Sequence, residues 1–216
     1  MSQNSTPAPD VLLLLAPDCP YCPAMLESLA GLLKEGVIGR LEAVNVAIHP
    51  ERAAELGTRT VPWVKIGPFE LEGALTPGEL RRWAEQADNL DGMADYFFRM
   101  LKNGRRAKVE EMARQAPLRL QALVHLMKNP DTSMAVRIGI GAVLEELHGS
   151  GLTEAIIPDL GALTRDGDAL TRADACHFLS LIGGPEVASY LRASLDDENK
   201  EVREIASESL EELGLK

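Results

Sequence analysis

The chain has few aromatic residues and few cysteines. Only 4% of its 216 residues are Phe, Trp or Tyr, so aliphatic side chains must fill most of any core. Its three cysteines are too few for the disulfide framework that stabilises small secreted domains. No apolar run approaches the ~20 residues that a membrane-spanning helix needs. We therefore expect a globular protein of the cytoplasm.

Basic residues are scarce relative to acidic ones. Lys and Arg number 22 against 33 for Asp and Glu, which gives a formal net charge of −11. Such a chain is a poor candidate for binding nucleic acid, because that requires neutralising phosphates. The first ten residues carry no Lys or Arg and precede only a short apolar stretch, Val11–Ala16, which is typical of neither a signal peptide nor a membrane anchor. We expect neither a nucleic-acid partner nor a membrane partner.

Short apolar runs alternate with helical stretches between residues 11 and 88, after a polar tail at residues 1–10 that we expect to be disordered. The first run is apolar throughout, as a parallel strand buried on both faces would be. The last helix has Thr76 at its N-cap and Glu79 at N3, the spacing of a capping box. The predicted order is β-α-β-α-β-β-α, with the first six elements at Val11–Ala16, Pro20–Glu35, Leu41–Val46, Pro50–Leu56, Pro62–Ile66 and Phe69–Leu71.

An internal repeat occupies residues 117–216. Each of three arginines, Arg137, Arg172 and Arg203, follows an aspartate by six positions and precedes apolar residues by three, seven and ten. Such offsets place the apolar residues on one stripe of a helix. The repeat resembles short HEAT repeats, which carry an Asp-to-Arg ladder between neighbouring units. We expect connecting helices at residues 89–116 and then an all-α HEAT-like domain; an ordinary helical bundle is the alternative.

The two cysteines of the sequence Cys19-Pro20-Tyr21-Cys22 follow a predicted buried strand and open a predicted helix. A thiolate at a helix N-terminus is stabilised by the positive end of the helix dipole, which lowers a cysteine pKa. Cys19 would be the exposed nucleophile, and Cys22 would attack the mixed disulfide and release the product. Half of a zinc site is the alternative, but the remaining Cys and His residues show no second paired spacing.

The strand order, the CPYC motif and the segment Thr60-Val61-Pro62 together resemble the thioredoxin superfamily. Residues 11–88 are most similar to glutaredoxins and to the glutaredoxin-like units of protein disulfide oxidoreductases. The resemblance implies a cis Val61–Pro62 bond beside the cysteine pair and a substrate strand hydrogen-bonded to the Val61 backbone. We expect no cofactor and no bound metal. The candidate site residues are Cys19 and Cys22 for catalysis and Pro20, Tyr21, Val61 and Pro62 for substrate binding.

The chain departs from these families at three places. Thioredoxins carry a buried acid where this chain has Leu13, and a Trp where it has Asp18. The negative charge of Asp18 is expected to oppose ionisation of Cys19. Glutaredoxins hold glutathione with a Gly-Gly-Asp-like turn, and the replacement of that turn by Glu72-Gly73-Ala74 favours a protein disulfide or thiol as the substrate.

The sequence therefore predicts a cytoplasmic thiol–disulfide oxidoreductase that acts on proteins and carries a helical-repeat module for a client or partner protein. A second hypothesis is a chaperone-like holdase or scaffold in which the redox pair is regulatory or vestigial. A third is a glutathione transferase, which also joins a thioredoxin-like domain to helices. The repeat and the complete CxxC pair argue against the third. The sequence leaves the client, the electron donor, the redox direction and the oligomeric state open.

Overall fold

A computed structural model describes residues 7–129 and 131–215 of the chain. The chain divides into two compact units, one up to Gly92 and one from Met93 onward. In the described residues the first unit is mixed α/β and the second is helical. The division falls inside the first helix of the second region, beyond the predicted boundary at residue 88. Of the tail predicted at residues 1–10, residues 1–6 lie outside the described residues, and Asp10 already belongs to a strand.

Strands and helices of the first unit follow the order that the sequence predicts, with bounds that differ from the predicted ones by two residues or fewer. Helix α1 begins two residues later than predicted, because residues 19–21 form the turn that leads into Cys22. The elements are β1 Asp10–Leu15, α1 Cys22–Lys34, β2 Arg40–Asn45, α2 Pro50–Glu55, β3 Trp63–Ile66, β4 Phe69–Glu72 and α3 Pro77–Glu85.

The four strands form one mixed sheet in the order β2-β1-β3-β4. Strand β1 is parallel to β2 and antiparallel to β3, and β4 is antiparallel to β3. Leu13 and Leu14 in β1 are 0% exposed, as the continuous apolar sequence of this strand predicts. Leu15 lies opposite Asn45, and Leu14 lies opposite Trp63. The segments that follow β1 and β2 and the segment that precedes β3 therefore meet at one edge of the sheet.

Helix α3 has the predicted capping box. The backbone N–H of Glu79 donates to the Thr76 hydroxyl at 3.2 Å, and the backbone N–H of Thr76 donates to the Glu79 carboxylate at 2.8 Å. Trp83 on the inner face of this helix is fully buried and meets Phe69 of β4 edge to face, with ring centroids 5.0 Å apart. The cap and the aromatic contact together fix the end of the first unit.

Repeats in the second unit each consist of a short first helix and a longer second helix. Each first helix begins as a turn of 3-10 helix, and its α-helical part is 7 residues long. The second helices carry the three repeat arginines. The helices are α4 Leu90–Lys102, α5 Arg106–Gln115, α6 Gln121–Met127, α7 Met134–Glu146, α8 Ile157–Leu163, α9 Ala169–Ile182, α10 Ala188–Ser194 and α11 Lys200–Glu212.

The apolar stripe of the second helices forms the core of the repeats. Eight of its nine members are buried, and Leu213 at the end of the third repeat is half-buried. Burial of these side chains at the same three offsets explains the repeat in the sequence. The buried members are Ile140, Leu144, Leu147, Ala175, Leu179, Ile182, Ala206 and Leu210.

The predicted ladder is present between the second and third repeats. Arg172 donates to both carboxylate oxygens of Asp197, from Nε at 2.8 Å and from Nη2 at 2.9 Å. Its Nη1 donates to the backbone carbonyl of Asp166 at 2.9 Å. The two paired side chains are only 8% and 9% exposed. Because water contributes little there, a buried charge of this kind must be paired and hydrogen-bonded.

Between the first and second repeats the ladder takes another partner. Nη1 of Arg137 donates to Asp174 on α9 at 2.6 Å, whereas the regular spacing predicts Asp166. The other nitrogens of this guanidinium are held at 3.2 Å by the backbone carbonyls of its own repeat. Only Nη1 is left to reach α9, and Asp174 is the carboxylate that it meets. An Asp-to-Arg contact therefore joins these two repeats as well, but through Asp174 instead of Asp166.

Replacement of Asp197 by Asn tests the Arg172–Asp197 rung. Asn preserves the size of the side chain but leaves the buried guanidinium with only the exposed Glu198, at 3.4 Å, as a counter-charge, so we expect the free energy of unfolding to fall by roughly 2–3 kcal/mol. Urea unfolding of the helical unit, followed by circular dichroism, measures this change. The matched control is Glu204→Gln, which breaks the exposed Lys200–Glu204 pair and should leave stability nearly unchanged. Equal effects of the two substitutions would contradict the structural role of the rung.

Acid should weaken the same unit. The hydrogen bonds from Arg172 hold the pKa of Asp197 below its ordinary value of 3.8, and the N–H and hydroxyl of Thr171 lower the pKa of Asp168. Both carboxylates therefore contribute stability above the unfolded value of 3.8, and this contribution disappears as the pH falls through the lower folded values. Urea titrations at a series of pH values should show a shallower acid dependence for Asp197→Asn than for the wild type.

Candidate functional site at the cysteine pair

Cys19 and Cys22 form a disulfide, with Sγ atoms 2.13 Å apart and Cα atoms 5.5 Å apart. Cys19 lies in the turn after β1, where its backbone N–H donates to the carbonyl of Ala16 at 3.2 Å. Cys22 is the first residue of α1. The structure thus brings together the two residues that the sequence predicts to be catalytic, at the junction of the central strand and the first helix.

The Sγ atom of Cys19 lies at the N-terminus of α1. The backbone N–H of Cys22 donates to this sulfur at 3.1 Å. Tyr21, the N-cap residue, makes no side-chain capping bond, so the sulfur occupies the place of a capping acceptor. The donor and the positive end of the helix favour a negative charge on this atom. Reduction of the disulfide would therefore leave a stabilised thiolate on Cys19.

Exposure of the pair is lower than the sequence predicts. Cys19 is 7% exposed and Cys22 is 3% exposed, so the expectation of an openly exposed nucleophile is wrong. The sulfur of Cys19 points toward the start of α1, where it accepts the N–H of Cys22. Neighbouring residues form the exposed surface of the turn. Among these are Asp18, Pro20 and Tyr21, the last of which is 60% exposed. Of the two sulfurs, that of Cys19 lies in the less buried residue.

The Val61–Pro62 peptide bond is cis, which confirms that expectation. Pro62 is buried, and its carbonyl accepts a hydrogen bond from the backbone N–H of Gly73 at 2.9 Å. Because Trp63 lies opposite Leu14, this segment reaches the edge of the sheet where β1 ends. The part that Val61 and Pro62 take in substrate binding stays a prediction.

Thr58 is a residue of this region that the sequence reasoning missed. It is 8% exposed although its neighbours Arg59 and Thr60 are exposed. Its hydroxyl accepts a hydrogen bond from the backbone N–H of Thr60 at 3.3 Å, and its own N–H donates to the carbonyl of Ala53 at 3.1 Å. These bonds direct the chain from α2 into the Val61–Pro62 segment. Threonine two positions before a bonded N–H is a known turn signal that could have identified it.

The loop after β2 reaches the same edge of the sheet. The backbone N–H of Val46 donates to the carbonyl of Leu15 at 2.9 Å, which ties the loop to the end of β1. Oδ1 of Asn45 accepts the N–H of Ala47 at 2.9 Å and holds the loop in a turn. Ile48 in this loop is 71% exposed. An exposed apolar side chain thus stands on the β2 side of the edge that carries the disulfide, and the sequence pattern gave no signal for it.

Neither a metal cluster nor a membrane-spanning helix is found within residues 7–129 and 131–215. No group of three or more His, Cys, Asp and Glu side chains there could hold a metal ion. No helix there is long and apolar enough to cross a membrane. Cys176, the third cysteine, is 0% exposed in α9, and burial raises the pKa of its thiol.

A family model described as HEAT repeats matches residues 120–211. The second unit is a helical domain with HEAT repeats. The matched range lies within the predicted residues 117–216 and covers most of the helices from α6 to α11. HEAT repeats generally mediate contacts between proteins. A comparison with the curated proteins finds no match to the chain.

Alkylation of the reduced protein should distinguish the three thiols. We expect iodoacetamide to modify Cys19 first, because its sulfur accepts the N–H at the helix start and is the less buried of the pair. Cys176 should stay unmodified until the protein is unfolded, since its thiol is buried and its pKa is raised. Mass spectrometry of the proteolytic peptides measures the order, with urea-unfolded protein as the control. Labelling of Cys176 in the folded protein at the rate of Cys19 would contradict this account.

Proposed function

We propose that the protein is a cytoplasmic thiol–disulfide oxidoreductase of the thioredoxin superfamily, most similar to glutaredoxins, that acts on protein substrates. The observation that carries the proposal is the Cys19–Cys22 disulfide at the start of α1, with the N–H of Cys22 directed at the sulfur of Cys19. The HEAT repeats would bind the client or a partner.

The topology of the first unit supports a thioredoxin-like fold. The mixed sheet has its longest apolar strand in the interior, a parallel neighbour on one side and an antiparallel hairpin on the other. The cysteine pair follows the interior strand, and the Thr60-Val61-Pro62 segment enters the sheet beside it. This is the arrangement that the resemblance in the sequence implies, and it gathers the candidate residues at one edge.

The proposed reaction is thiol–disulfide exchange. The Cys19 thiolate attacks one sulfur of a client disulfide; the client S–S bond breaks, and its other sulfur leaves as a thiolate that takes a proton from water. Cys22 then loses its proton to water and attacks the sulfur of Cys19 in the mixed disulfide. The bond between Cys19 and the client sulfur breaks, and the second client sulfur leaves as a thiolate that takes a proton from water. The client has gained two electrons, and the Cys19–Cys22 disulfide has formed. A two-electron reductant must then restore the dithiol form of the pair.

Departures at the site favour a protein substrate. The strand before the motif offers Leu13 rather than a buried acid, so water is the proton acceptor for Cys22 in this proposal. Glu72-Gly73-Ala74 at the end of β4 is not the turn with which glutaredoxins hold glutathione. Tyr21 and Ile48 present exposed apolar surface around the turn, which suits a polypeptide client better than a small polar thiol.

A helical-repeat module on the same chain would raise the local concentration of a client at the cysteine pair. Binding through one module makes the second encounter intramolecular, so affinity for the redox site itself can remain weak. Weak contact at that site is compatible with rapid release after exchange. In this proposal the HEAT repeats bind the client, and Cys19 and Cys22 carry out the thiol–disulfide exchange.

Trapping of a mixed disulfide tests the oxidoreductase proposal. In Cys22→Ser the resolving thiol is absent, so we expect the protein to accumulate in covalent complexes through Cys19 that reducing agent dissolves. Cys19→Ser is the matched control and should form none. The wild type should also reduce the disulfides of insulin, and either substitution should abolish that activity. If no adduct forms and insulin is not reduced while the protein still protects unfolded clients, it is a holdase or scaffold instead.

A further inference from the structure

Helices α7 and α9 pack along each other with a fixed register. Arg137 of α7 donates to Asp174 of α9, and one turn further along both helices Gly141 lies against Phe178. A Cβ atom at Gly141 would come within 3.2 Å of Cε1 of that ring. Because the two contacts advance together along the sequence, the helices run in the same direction. We call the surface along the line where these two helices meet the α7–α9 groove.

Large apolar side chains stand exposed at one end of this groove. Met134 and Ile138 are one turn apart on α7 and are 59% and 65% exposed. Residues at these spacings share a helix face, so both lie on the side that carries Gly141 and faces α9. Leu170, one turn before Asp174 on α9, is 43% exposed. The register therefore places Met134 and Leu170 at the same level, across the groove from each other.

The charge around the groove is acidic. Residues 131–182 contain eight acidic and three basic side chains. Two of the basic side chains, Arg137 and Arg172, are buried in ion pairs and do not reach a partner. A partner would therefore meet apolar surface in the groove and negative charge around it. Exposed acids at the ends of the two helices are Asp131, Asp168, Glu145 and Glu146, the last of which pairs with Arg114.

The apolar surface does not continue into the third repeat. Leu170 stands two residues before Arg172, and the residue two before Arg203 is the exposed Glu201. Glu204, one residue after Arg203, is also exposed. If exposed apolar residues were a general property of these second helices, they would appear in α11 as well. Their restriction to α7 and α9 marks this groove as different from the rest of the solenoid.

We propose that the α7–α9 groove binds an amphipathic helix of a partner protein. Apolar side chains of this helix, spaced one turn apart, would cover Met134, Ile138 and Leu170, and its Lys and Arg side chains would meet the surrounding acids. The Arg137–Asp174 pair forms the base of the groove and keeps α7 and α9 in register. The inference rests on the protein-binding half of the proposed function and is independent of the cysteine chemistry.

Two synthetic helical peptides test the groove. Both carry leucines one turn apart; one has lysines on the flanks and the other has glutamates at the same positions. Fluorescence anisotropy of the labelled peptides with the full chain should show binding of the lysine peptide only, weakened by added salt. In Met134→Ser/Ile138→Ser the affinity should fall about tenfold or more, because the buried apolar area is lost.

Leu118→Ser is the matched control, since Leu118 is 69% exposed in the turn before α6 and outside the groove. It should leave the affinity unchanged, and circular dichroism should show that both variants remain folded. If the double variant unfolds, Ile138→Ala replaces it, with a smaller loss expected. Ile138→Leu should keep the wild-type affinity, which would show that binding depends on the apolar area of this side chain.

Several results would overturn the proposal. These are equal binding of the glutamate peptide, equal loss in Leu118→Ser, and no binding of either peptide. Self-association of the wild type that the double variant abolishes, seen by analytical ultracentrifugation, would assign the groove to a second copy of the chain.

Reduction of a small-molecule disulfide is measured on the same preparations. If the wild type reduces this disulfide but does not bind the lysine peptide, the groove alone is rejected. If it binds the peptide but does not reduce the disulfide, the oxidoreductase proposal alone is rejected.

Discussion

The site depends on one contact, the hydrogen bond from the backbone N–H of Cys22 to the sulfur of Cys19. It exists because the apolar strand β1 is followed, after residues 16–21, by a helix whose N-cap residue provides no side-chain acceptor. A sulfur in that position meets an unsatisfied donor and the positive end of the helix dipole at once. Any serine, threonine or aspartate that capped the helix in its place would compete with the sulfur for the same donor.

The sheet places the other candidate residues around this contact. With β1 in the interior, the loop after β2 and the segment before β3 both arrive beside its end. Each is fixed by a local polar group: Asn45 holds the first in a turn, and the buried hydroxyl of Thr58 holds the second. The candidate site is thus built from three loops, each anchored by backbone hydrogen bonds to rigid elements.

Local patterns predicted most of the fold. The continuous apolar sequence of β1, the capping box at Thr76 and the three-fold arginine spacing each specify structure through contacts within a few residues, and all three are present. The partner of Arg137 could not be predicted in this way, because it depends on how α9 packs on α7. The low exposure of Cys19 likewise depends on the fold-back of its side chain and not on the motif. Ile48 and Thr58 were not predicted because their loops reach the edge that carries the disulfide only once the sheet has formed.

The two cysteines are separated by only three positions in the sequence. A crosslink over so short a loop removes little freedom from the unfolded chain, since the entropic gain grows with the number of residues enclosed. The architecture of the first unit therefore depends more on the leucine-rich strand and the aromatic contact of α3 than on the sulfur–sulfur bond. Opening or closing that bond changes a loop of only a few residues and leaves the leucine-rich strand and the aromatic contact in place.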